Sequence, residues 1–396
     1  MNEIHELVEA FDVAKARSER CALATVVSVE GSAYRRPGAK MLVSETGAST
    51  GTISAGCLES DVIEQAKGLI RADRSKLIEY NTASTSEELA WGLGLGCGGI
   101  VRVLIEPMGD SSRYIEVLRR SLNVQSDAVP AIVATVYRSA LSGLVSSPAS
   151  LDVGSRLLID EKGRVSKDKL NNRAAAILEP EVRSLIAGEL PCTAGIEVHG
   201  LAAELFIEAL LPPVSLVVFG AGPDALPVIE LACELGWRTE VVDIQARPAS
   251  LSRFAVADRV TLARPEDLRA LVGITPRTIT LLMSHNYSHD LEMLGFLLSS
   301  PARYIGVMGP RQRTERMLEE LGASQATADR LHAPVGLDIG ANGPREIALS
   351  IIAEMRAVLG GRGGGMLRER QGAIHDNPGD GESGTLAKRV MSVVAA

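Results

Sequence analysis

Residues 215–243, SLVVFGAGPDALPVIELACELGWRTEVVD, predict the fold of the second half of the chain. They read as an apolar strand, a tight glycine turn, an apolar helix and a second strand that ends at Asp243. Gly220, Gly222 and Ala225 fit the pattern G-x-G-x-x-A directly after the first strand. Asp243 follows about 20 residues later, where an acidic residue contacts a ribose hydroxyl in dinucleotide-binding folds. Because the glycines, the flanking elements and the acid agree, we predict a Rossmann-like unit.

Three further strand-helix units continue this pattern: RVTLARPEDLRALV, TITLLMSHNYSHDLEMLGFLLSS and ARYIGVMGPRQRTERMLEELG. The strand ends of the second and third units carry Ser284 and His285, and Gly309 and Arg311. The carboxyl ends of parallel strands form the ligand crevice of such sheets, so we expect these residues to line the same cleft as Gly220. The sequence therefore predicts a doubly wound parallel sheet over residues 214–359.

Two cysteines stand in glycine-rich turns in the first half, Cys57 in TGTISAGCLESD and Cys97 in WGLGLGCGGIVRV. A helix-like stretch with acidic residues in its first turn follows Cys57. A thiol at a helix N-terminus lies near free backbone N–H groups and the positive end of the macrodipole, which predicts a reactive or ligating cysteine. Glycines such as Gly98 let a large planar or anionic ligand approach the backbone. The alternative is that both cysteines are small buried residues in tight turns, which is common for intracellular cysteines.

A basic loop precedes the Cys57 turn. Residues 21–29, CALATVVSV, and residues 39–44, AKMLVS, have the composition of strands, and EGSAYRRPG joins them. Arg35 and Arg36 precede a rigid Pro-Gly turn, so the loop presents two guanidinium groups suited to a phosphate or pyrophosphate. A solvated basic turn is the alternative interpretation, because charged loops are common.

The region after Pro130 resembles the first region in degenerate form. AIVATVYRS matches ALATVVSVE, and GSRLLIDEKGRVS matches GAKMLVSETGAST, but the second copy lacks the cysteine. We therefore predict an N-terminal mixed α/β domain at residues 1–210, in which one copy of an internal repeat carries the site and the other supports the sheet. The segment after Leu359 is rich in glycine and polar residues, which predicts a disordered tail at residues 360–396.

The composition restricts the class of protein. The chain has 396 residues, of which 46% are hydrophobic but only 3% aromatic, so the cores must be built from small aliphatic side chains, as in α/β proteins. A formal net charge of -8 argues against a nucleic-acid binder. The sequence has neither an apolar run long enough to span a membrane nor a signal-peptide core, so we expect a cytoplasmic protein without a membrane partner. Five cysteines without a C-x-x-C pair argue against a disulfide framework and a structural zinc site.

Seven motifs together resemble the XdhC/CoxI family in order and spacing: GSAYRRPGAKMLV, SAGCLESDV, GLGCGG, VVFGAGP, VVD, YIGVMGPRQR and PVGLDIGANGPREIALSIIAEM. Members of this family are maturation chaperones for molybdenum hydroxylases such as xanthine dehydrogenase and carbon monoxide dehydrogenase. The resemblance implies that the chain binds the molybdenum cofactor and holds it while a cysteine desulfurase adds a terminal sulfido ligand. It further implies insertion of the cofactor into the large subunit of an apo hydroxylase, without catalytic turnover by the chain itself.

The resemblance maps most specifically onto a set of loop residues: Arg35, Arg36, Gly56, Cys57, Glu59, Cys97, Gly98, Gly220, Gly222, Gly306, Gly309, Asp338 and Pro344. The candidate cofactor-binding residues are this set without Gly306, Asp338 and Pro344, together with Asp243, His285 and Arg311 from the strand ends. Thiolates suit a soft metal centre and arginines suit a phosphate, so Cys57 and Cys97 are the candidate contacts to molybdenum or a labile sulfur. The chain departs from the family pattern at four positions: Tyr34 for Pro, Ala55 for Gly, Asn286 for Asp and Pro310 for Ser.

Two other functions compete with this interpretation. The glycine pattern by itself predicts NAD, and an NAD-dependent oxidoreductase would use Asp243 for the ribose and His285 as an acid or base. That interpretation leaves both cysteine turns without a role. A scaffold that docks the desulfurase to its target is the third candidate. The sequence leaves open whether the molybdenum cofactor is in its mononucleotide or dinucleotide form, and we expect a homodimer.

Overall fold

The computed structural model describes residues 2–31, 33–54, 56–81, 99–109, 112–123, 130–140, 151–185, 192–198, 201–245, 247–323, 329–370 and 389–393. The chain divides into two compact units. The N-terminal unit comprises residues 3–123, 129–211 and 379–396. The C-terminal unit consists mainly of residues 212–378. The division at residue 212 lies next to the boundary that the sequence predicts between residues 210 and 214.

The N-terminal unit contains two similar sets of elements. The first set is α1 (Asn2–Ala16), β1 (Cys21–Glu30), β2 (Lys40–Ser44), β3 (Ser49–Gly51), α2 (Glu59–Ala72), β4 (Lys76–Asn81) and β5 (Ile100–Met108). The second set is α3 (Arg113–Asn123), β6 (Ala131–Ser139), β7 (Arg156–Ile159), β8 (Val165–Asp168), α4 (Asn172–Leu185), β9 (Cys192–Val198) and β10 (Leu201–Leu210). The described strands of the first set form an antiparallel sheet in the order β3-β2-β1-β5-β4, and those of the second follow the equivalent order β8-β7-β6-β10-β9.

The predicted internal repeat is confirmed by details of the two sheets. Gly38 and Gly154 precede the second strand of each set. Their φ values are 99° and 90°, and residues with a side chain rarely adopt such values. Each glycine donates its N–H to the first strand of its own set, Gly38 to the Val26 carbonyl and Gly154 to the Val136 carbonyl, both over 2.8 Å. The two copies therefore share strand order and turn geometry.

Buried ion pairs join the two copies reciprocally. Lys40 of the first copy contacts Glu208 of the second over 2.6 Å, and Arg156 of the second contacts Glu106 of the first. The two cations occupy equivalent positions at the start of β2 and β7, and all four side chains are at most 8% exposed. Tyr114 lies between the pairs, because its hydroxyl donates to Glu208 over 2.5 Å and its ring centroid lies 4.3 Å from the Arg156 guanidinium.

The C-terminal unit alternates strands and helices. Its elements are β11 (Ser215–Phe219), α5 (Ala225–Glu234), β12 (Arg238–Asp243), α6 (Ala249–Arg253), β13 (Arg259–Leu262), α7 (Leu268–Leu271), β14 (Thr278–Leu282), α8 (Tyr287–Leu298), β15 (Tyr304–Val307), α9 (Arg311–Leu321), β16 (Leu331–His332) and α10 (Pro344–Leu359). The described strands are parallel and follow the order β13-β12-β11-β14-β15-β16.

One apolar cluster packs α5 and α10 against this sheet, and a second cluster packs α8 and α9 against it. The predicted doubly wound sheet is therefore confirmed. The strand order reverses between β11 and β14, which is the position where ligands bind in such folds.

Part of the segment that the sequence predicts to be a disordered tail has regular structure. Leu367–Glu369 form a 3₁₀ turn, and β17 (Arg389–Val393) pairs in parallel with β9. Residues 371–388 and 394–396 of this segment lie outside the described residues.

Removal of one partner from a buried ion pair tests the junction between the two copies. We expect Arg156→Met to destabilise the chain by about 3–5 kcal/mol, because Glu106 would stay buried without its cation. The double variant Glu106→Leu/Arg156→Met should be close to the parent in stability, since it removes both charges. The measurement is urea unfolding followed by circular dichroism.

Lys67→Met serves as the control, because Lys67 pairs with the largely exposed Glu64 at the surface. Its expected cost is about 0–1 kcal/mol. A double variant as unstable as Arg156→Met alone would contradict this account of the junction.

Candidate functional site

Cys57 lies in the loop that joins β3 to α2, residues 52–58. The equivalent connection in the second copy, between β8 and α4, is the shorter segment 169–171. Cys57 precedes Leu58, the N-cap of α2, and its thiol is free and half-buried. Gly56 beside it is exposed, and a Cβ placed there would lie within 4 Å of none of the described residues. The cysteine therefore stands in the longer of two equivalent loops, and the part of the chain that the structure describes leaves the Gly56 side of this loop open.

Glu59 folds back over this loop. Its carboxylate accepts hydrogen bonds from the Thr52 hydroxyl at 2.6 Å, from the Ser54 N–H at 2.8 Å and from the Ser54 hydroxyl. The Ser54 oxygen in turn accepts the N–H groups of Cys57 and Leu58, each at 3.0 Å. Burial raises the pKa of Glu59, but the hydrogen bonds from Ser54 and Thr52 outweigh it and lower that pKa to about 2.

These contacts give Glu59 and Ser54 a role in the loop itself. The sequence predicts that Glu59 binds the cofactor, and the structure places its carboxylate against the donors of its own loop. Sequence reasoning missed Ser54. Its position shortly before a helix start is a signal for a side chain that caps backbone N–H groups.

The two arginines of the preceding loop have different surroundings. Arg35 forms a bidentate ion pair with Glu3 of α1, with N–O distances of 2.8 and 2.5 Å. This hydrogen bond is the main cause that lowers the pKa of Glu3. Arg36 is exposed. A phosphate would therefore compete with Glu3 for Arg35. The predictions for Cys97 and Gly98 lie outside the described residues.

In the C-terminal unit, Gly220 directly follows β11 at the point where the strand order reverses. Its φ is 132°, and a Cβ at this position would lie 2.5 Å from the Met283 carbonyl oxygen. Its N–H donates to the Val242 carbonyl over 3.0 Å. A side chain at residue 220 would therefore collide with the end of β14, so a glycine is required here.

Asp224 and His285 face each other across this turn. The Asp224 Oδ2 lies 2.7 Å from the His285 Nε2, and a Cβ placed on Gly222 would lie 2.4 Å from the Asp224 Oδ1. Asp224 is the N-cap residue of α5, yet its side chain makes no capping hydrogen bond. His285 has a φ of 58°, which is uncommon for a residue with a side chain. The predicted residues Gly220, Gly222 and His285 thus come together, and Asp224 joins them.

Asp243 lies at the end of β12, where the sequence predicts it, but its carboxylate is already engaged. It accepts the Ser250 hydroxyl at 2.6 Å, the Gln245 N–H at 3.0 Å and the Arg247 Nε at 3.1 Å. Burial raises the pKa of Asp243, but hydrogen bonds from Ser250 and Arg247 outweigh it, so that pKa lies below its usual range. The side chain is 2% exposed. A ribose would therefore have to reach a buried carboxylate that these donors already surround.

A polar network continues along the same edge of the sheet. Ser284 donates to the buried Asp290 over 2.6 Å, and Arg313 donates to the other oxygen of Asp290 over 2.7 Å. This network ties the end of β14 to the first turn of α9, beside Gly309 and the exposed Arg311.

Asn286, one of the departures from the family pattern, caps α8 by accepting the His289 N–H over 3.1 Å. An aspartate can make the same cap, so the departure preserves the helix start.

Two general properties bear on the chemistry. Among the residues that the structure describes, no group of three or more His, Cys, Asp or Glu side chains is arranged to hold a metal ion. Within the same part of the chain, no helix combines the length and the apolar character needed to cross a bilayer.

Comparison with known proteins agrees with this architecture. Residues 14–81 match the description of the XdhC and CoxI family, and residues 216–355 match the XdhC Rossmann domain. A relative from Bacillus subtilis (strain 168), which is named as a probable subunit of xanthine dehydrogenase, is 32% identical over 90% of this chain and 97% of its own length. The molybdenum cofactor insertion chaperone PaoD of Escherichia coli (strain K12) is 23% identical over 90% of both chains.

A solved structure shows the same fold. It is a crystal structure from Bacillus halodurans, described as a xanthine dehydrogenase, and it superposes with a TM-score of 0.70 at 29% sequence identity. The match covers 93% of this chain and 97% of that one. With one relative above 30% identity over nearly its whole length, the resemblance seen in the sequence motifs is confirmed, and the chain belongs to the XdhC and CoxI family.

Proposed function

We propose that the chain is a molybdenum cofactor-binding chaperone that holds molybdopterin during sulfuration and then inserts it into an apo hydroxylase of the xanthine dehydrogenase or carbon monoxide dehydrogenase type. The names of the two relatives, one linked to xanthine dehydrogenase and one to cofactor insertion, support this role. The observation that carries it in this chain is the half-buried free thiol of Cys57 in the longer of the two equivalent loops of the repeat. A cysteine desulfurase and a homodimeric state are parts of the same proposal.

The described residues fit the chemistry of this cofactor. The bound group would supply a soft, sulfur-ligated metal centre, a flat pterin and a phosphate. The sulfur of Cys57 suits the soft centre or a labile sulfur, and the described residues leave space for a ring beside Gly56. The exposed Arg36 carries a guanidinium group that suits the phosphate.

The oxidoreductase alternative finds less support. An NAD site of this fold needs an acceptor for the ribose diol and an open glycine turn for the pyrophosphate. Here the Asp243 carboxylate accepts donors from its own turn, and the Asp224 carboxylate lies against Gly222. Side chains of the protein therefore occupy the positions that the ribose and the pyrophosphate of NAD would need. For this reason we favour cofactor handling over hydride transfer.

Replacing the Cys57 thiol tests the proposal. We expect Cys57→Ala to fold with a thermal midpoint close to that of the parent, because the change is small and the residue is half-buried. The variant should lose most of the molybdenum that copurifies with the parent and fail to activate a client hydroxylase. The measurement is molybdenum per chain by mass spectrometry.

Cys233→Ala is the matched control, since Cys233 is also a free, half-buried cysteine but lies in the C-terminal unit. The control should retain the parental molybdenum content. If Cys57→Ala also retained molybdenum and activated the client, the role of Cys57 would be wrong.

The Ser54 and Glu59 contacts predict a separate effect on the same loop. Ser54→Ala should leave the Cys57 thiol fully titratable with a thiol reagent yet lower cofactor retention, because the Cys57 N–H loses its acceptor and the Leu58 N–H keeps only the Glu59 carboxylate. Ser54→Thr keeps the hydroxyl and should restore retention. Equal retention by Ser54→Ala and the parent would show that the loop needs no such support.

The lowered pKa of Glu59 also predicts a pH dependence. A folded-state pKa of about 2, below the ordinary value of 4.5, means that the contribution of Glu59 to stability is fully present above about pH 4.5. This contribution is lost as the pH falls from 4.5 towards 2, because the carboxylate becomes protonated. Acid titrations of thermal stability should therefore be shallower in this range for Glu59→Gln than for the parent. Parallel titration curves would contradict the assignment.

A further inference from the structure

We propose that Arg277 and Arg303 form a binding site for a phosphate-type dianion in the C-terminal unit. Arg277 directly precedes β14 and Arg303 directly precedes β15, so both stand at the amino ends of neighbouring parallel strands. The Gly220 turn follows the carboxyl end of β11, at the opposite edge of the same sheet. The site therefore belongs neither to that turn nor to the Cys57 loop of the N-terminal unit.

The two guanidinium groups have no acceptor in the part of the chain that the structure describes. Neither forms an ion pair there, and the Nε atom of Arg277 is buried without a hydrogen-bond partner. Other arginines at this edge differ, because Arg259 lies 3.5 Å from the Glu240 carboxylate and Arg330 donates to backbone carbonyls. Buried polar groups of folded proteins are almost always hydrogen-bonded, and a bound ion is one explanation for an exception.

The two cations lie close enough to affect each other. The Arg303 N–H donates over 2.9 Å to the carbonyl of Thr278, the residue after Arg277. Burial lowers the pKa of Arg277, and the positive charge of Arg303 lowers it further. Adjacent like charges repel each other, and among the described residues no carboxylate pairs with either arginine to offset this repulsion. A bound anion would offset it.

The turn that carries Arg277 is fixed by its own hydrogen bonds. The Thr278 N–H donates to the Thr275 carbonyl over 3.0 Å, and the Arg277 N–H donates to the Thr275 hydroxyl over 3.2 Å. Pro276 stands at the second position of this turn, where its fixed φ is favourable. The backbone of Arg277 is thus held in place while its guanidinium has no partner among the described residues.

The loop before Arg303 is held by a third arginine. Arg330, which directly precedes β16, donates to the Ala302 carbonyl over 2.6 Å and to the Ser300 carbonyl over 3.0 Å. Its other terminal nitrogen donates to the Leu298 carbonyl over 3.2 Å. Both segments that present the free guanidinium groups are therefore fixed in advance, which lowers the entropic cost of binding a ligand.

The charge and the geometry of the pair indicate the class of ligand. Each guanidinium presents a fork of N–H donors that matches two oxygens of a carboxylate or a phosphate. A carboxylate has two oxygens and one charge, so it satisfies one arginine. A phosphate monoester carries about two negative charges and three acceptor oxygens at neutral pH, and inorganic phosphate is similar. A phosphodiester carries one charge per phosphate and fits less well.

Calorimetry on the full-length protein tests the proposal with three probes at constant ionic strength and about pH 8, where both phosphates are mostly dianions. The probes are inorganic phosphate, glycerol 3-phosphate and acetate. We expect the parent to bind at least one of the phosphates about tenfold or more tightly than acetate, because acetate leaves one arginine without a charged acceptor. The phosphate that binds more tightly identifies the source of the dianion as a free phosphate or an ester.

Arg277→Gln and Arg303→Gln should each weaken phosphate binding by about ten- to a hundredfold, because each removes one charged donor. Arg303 is exposed, so its replacement keeps the fold. Without phosphate, neither variant should have a lower thermal midpoint than the parent, because the loss of one cation relieves the repulsion. Arg259→Gln is the matched control, since it removes a positive charge from the same edge at a residue already paired with Glu240, and it should keep the parental phosphate affinity.

Retention of the parental phosphate affinity by either variant would overturn the proposal, since phosphate bound at Arg36 of the N-terminal unit would persist in both. Absence of phosphate binding by the parent, or equal binding of acetate, would overturn it as well. Lower thermal midpoints of both variants without phosphate would show that the arginines support the fold instead. None of these results changes the molybdenum content of the parent, so the proposed chaperone function is tested separately.

Discussion

The reciprocal exchange of buried charges is the constraint on which the N-terminal unit depends. Lys40 of the first copy pairs with Glu208 of the second, and Arg156 of the second copy pairs with Glu106 of the first. Desolvating such ions costs several kcal/mol each unless the partner is in place. Neither copy can therefore bury its cation without the other, and the two sheets act as one frame.

Because the two copies have equivalent sheets, the loop that carries Cys57 can differ from its counterpart without changing the sheets. The strand orders agree, so both copies support their sheets in the same way. They differ in the connection before the helix, which is residues 52–58 in the first copy and 169–171 in the second. Cys57 lies in the longer connection, where Glu59 and Ser54 fix the backbone around it. A turn fixed in this way can present a thiol without changing the fold that carries it.

The patterns that act over short distances were predictable from the sequence. Strand, glycine turn and helix follow one another within residues 215–243, and each can be recognised from neighbouring residues. Residue 220, for example, must be glycine because any side chain would collide with the end of β14. The repeat was predictable because both copies keep the same turn residues. The ion pairs were not, because Lys40 and Glu208 are 168 residues apart and no local signal links them.

The direction in which a side chain points could also not be predicted from the sequence. Glu59 and Asp243 have the residue type and position of ligands, and both turn back to accept donors of their own loops. Asp224 has the residue type and position of an N-cap, and it turns away from its helix to His285. Only the three-dimensional contacts show which direction each of these side chains takes.

The measurement that tests the central claim most directly is the identity of the small molecule that the chain carries. The full-length protein would be purified from cells supplied with molybdate and then denatured, and the released ligand would be weighed by mass spectrometry. The account predicts a molybdenum-bearing pterin, released together with molybdenum in proportion to protein. Release of a nicotinamide nucleotide, with no pterin and no molybdenum, would contradict it.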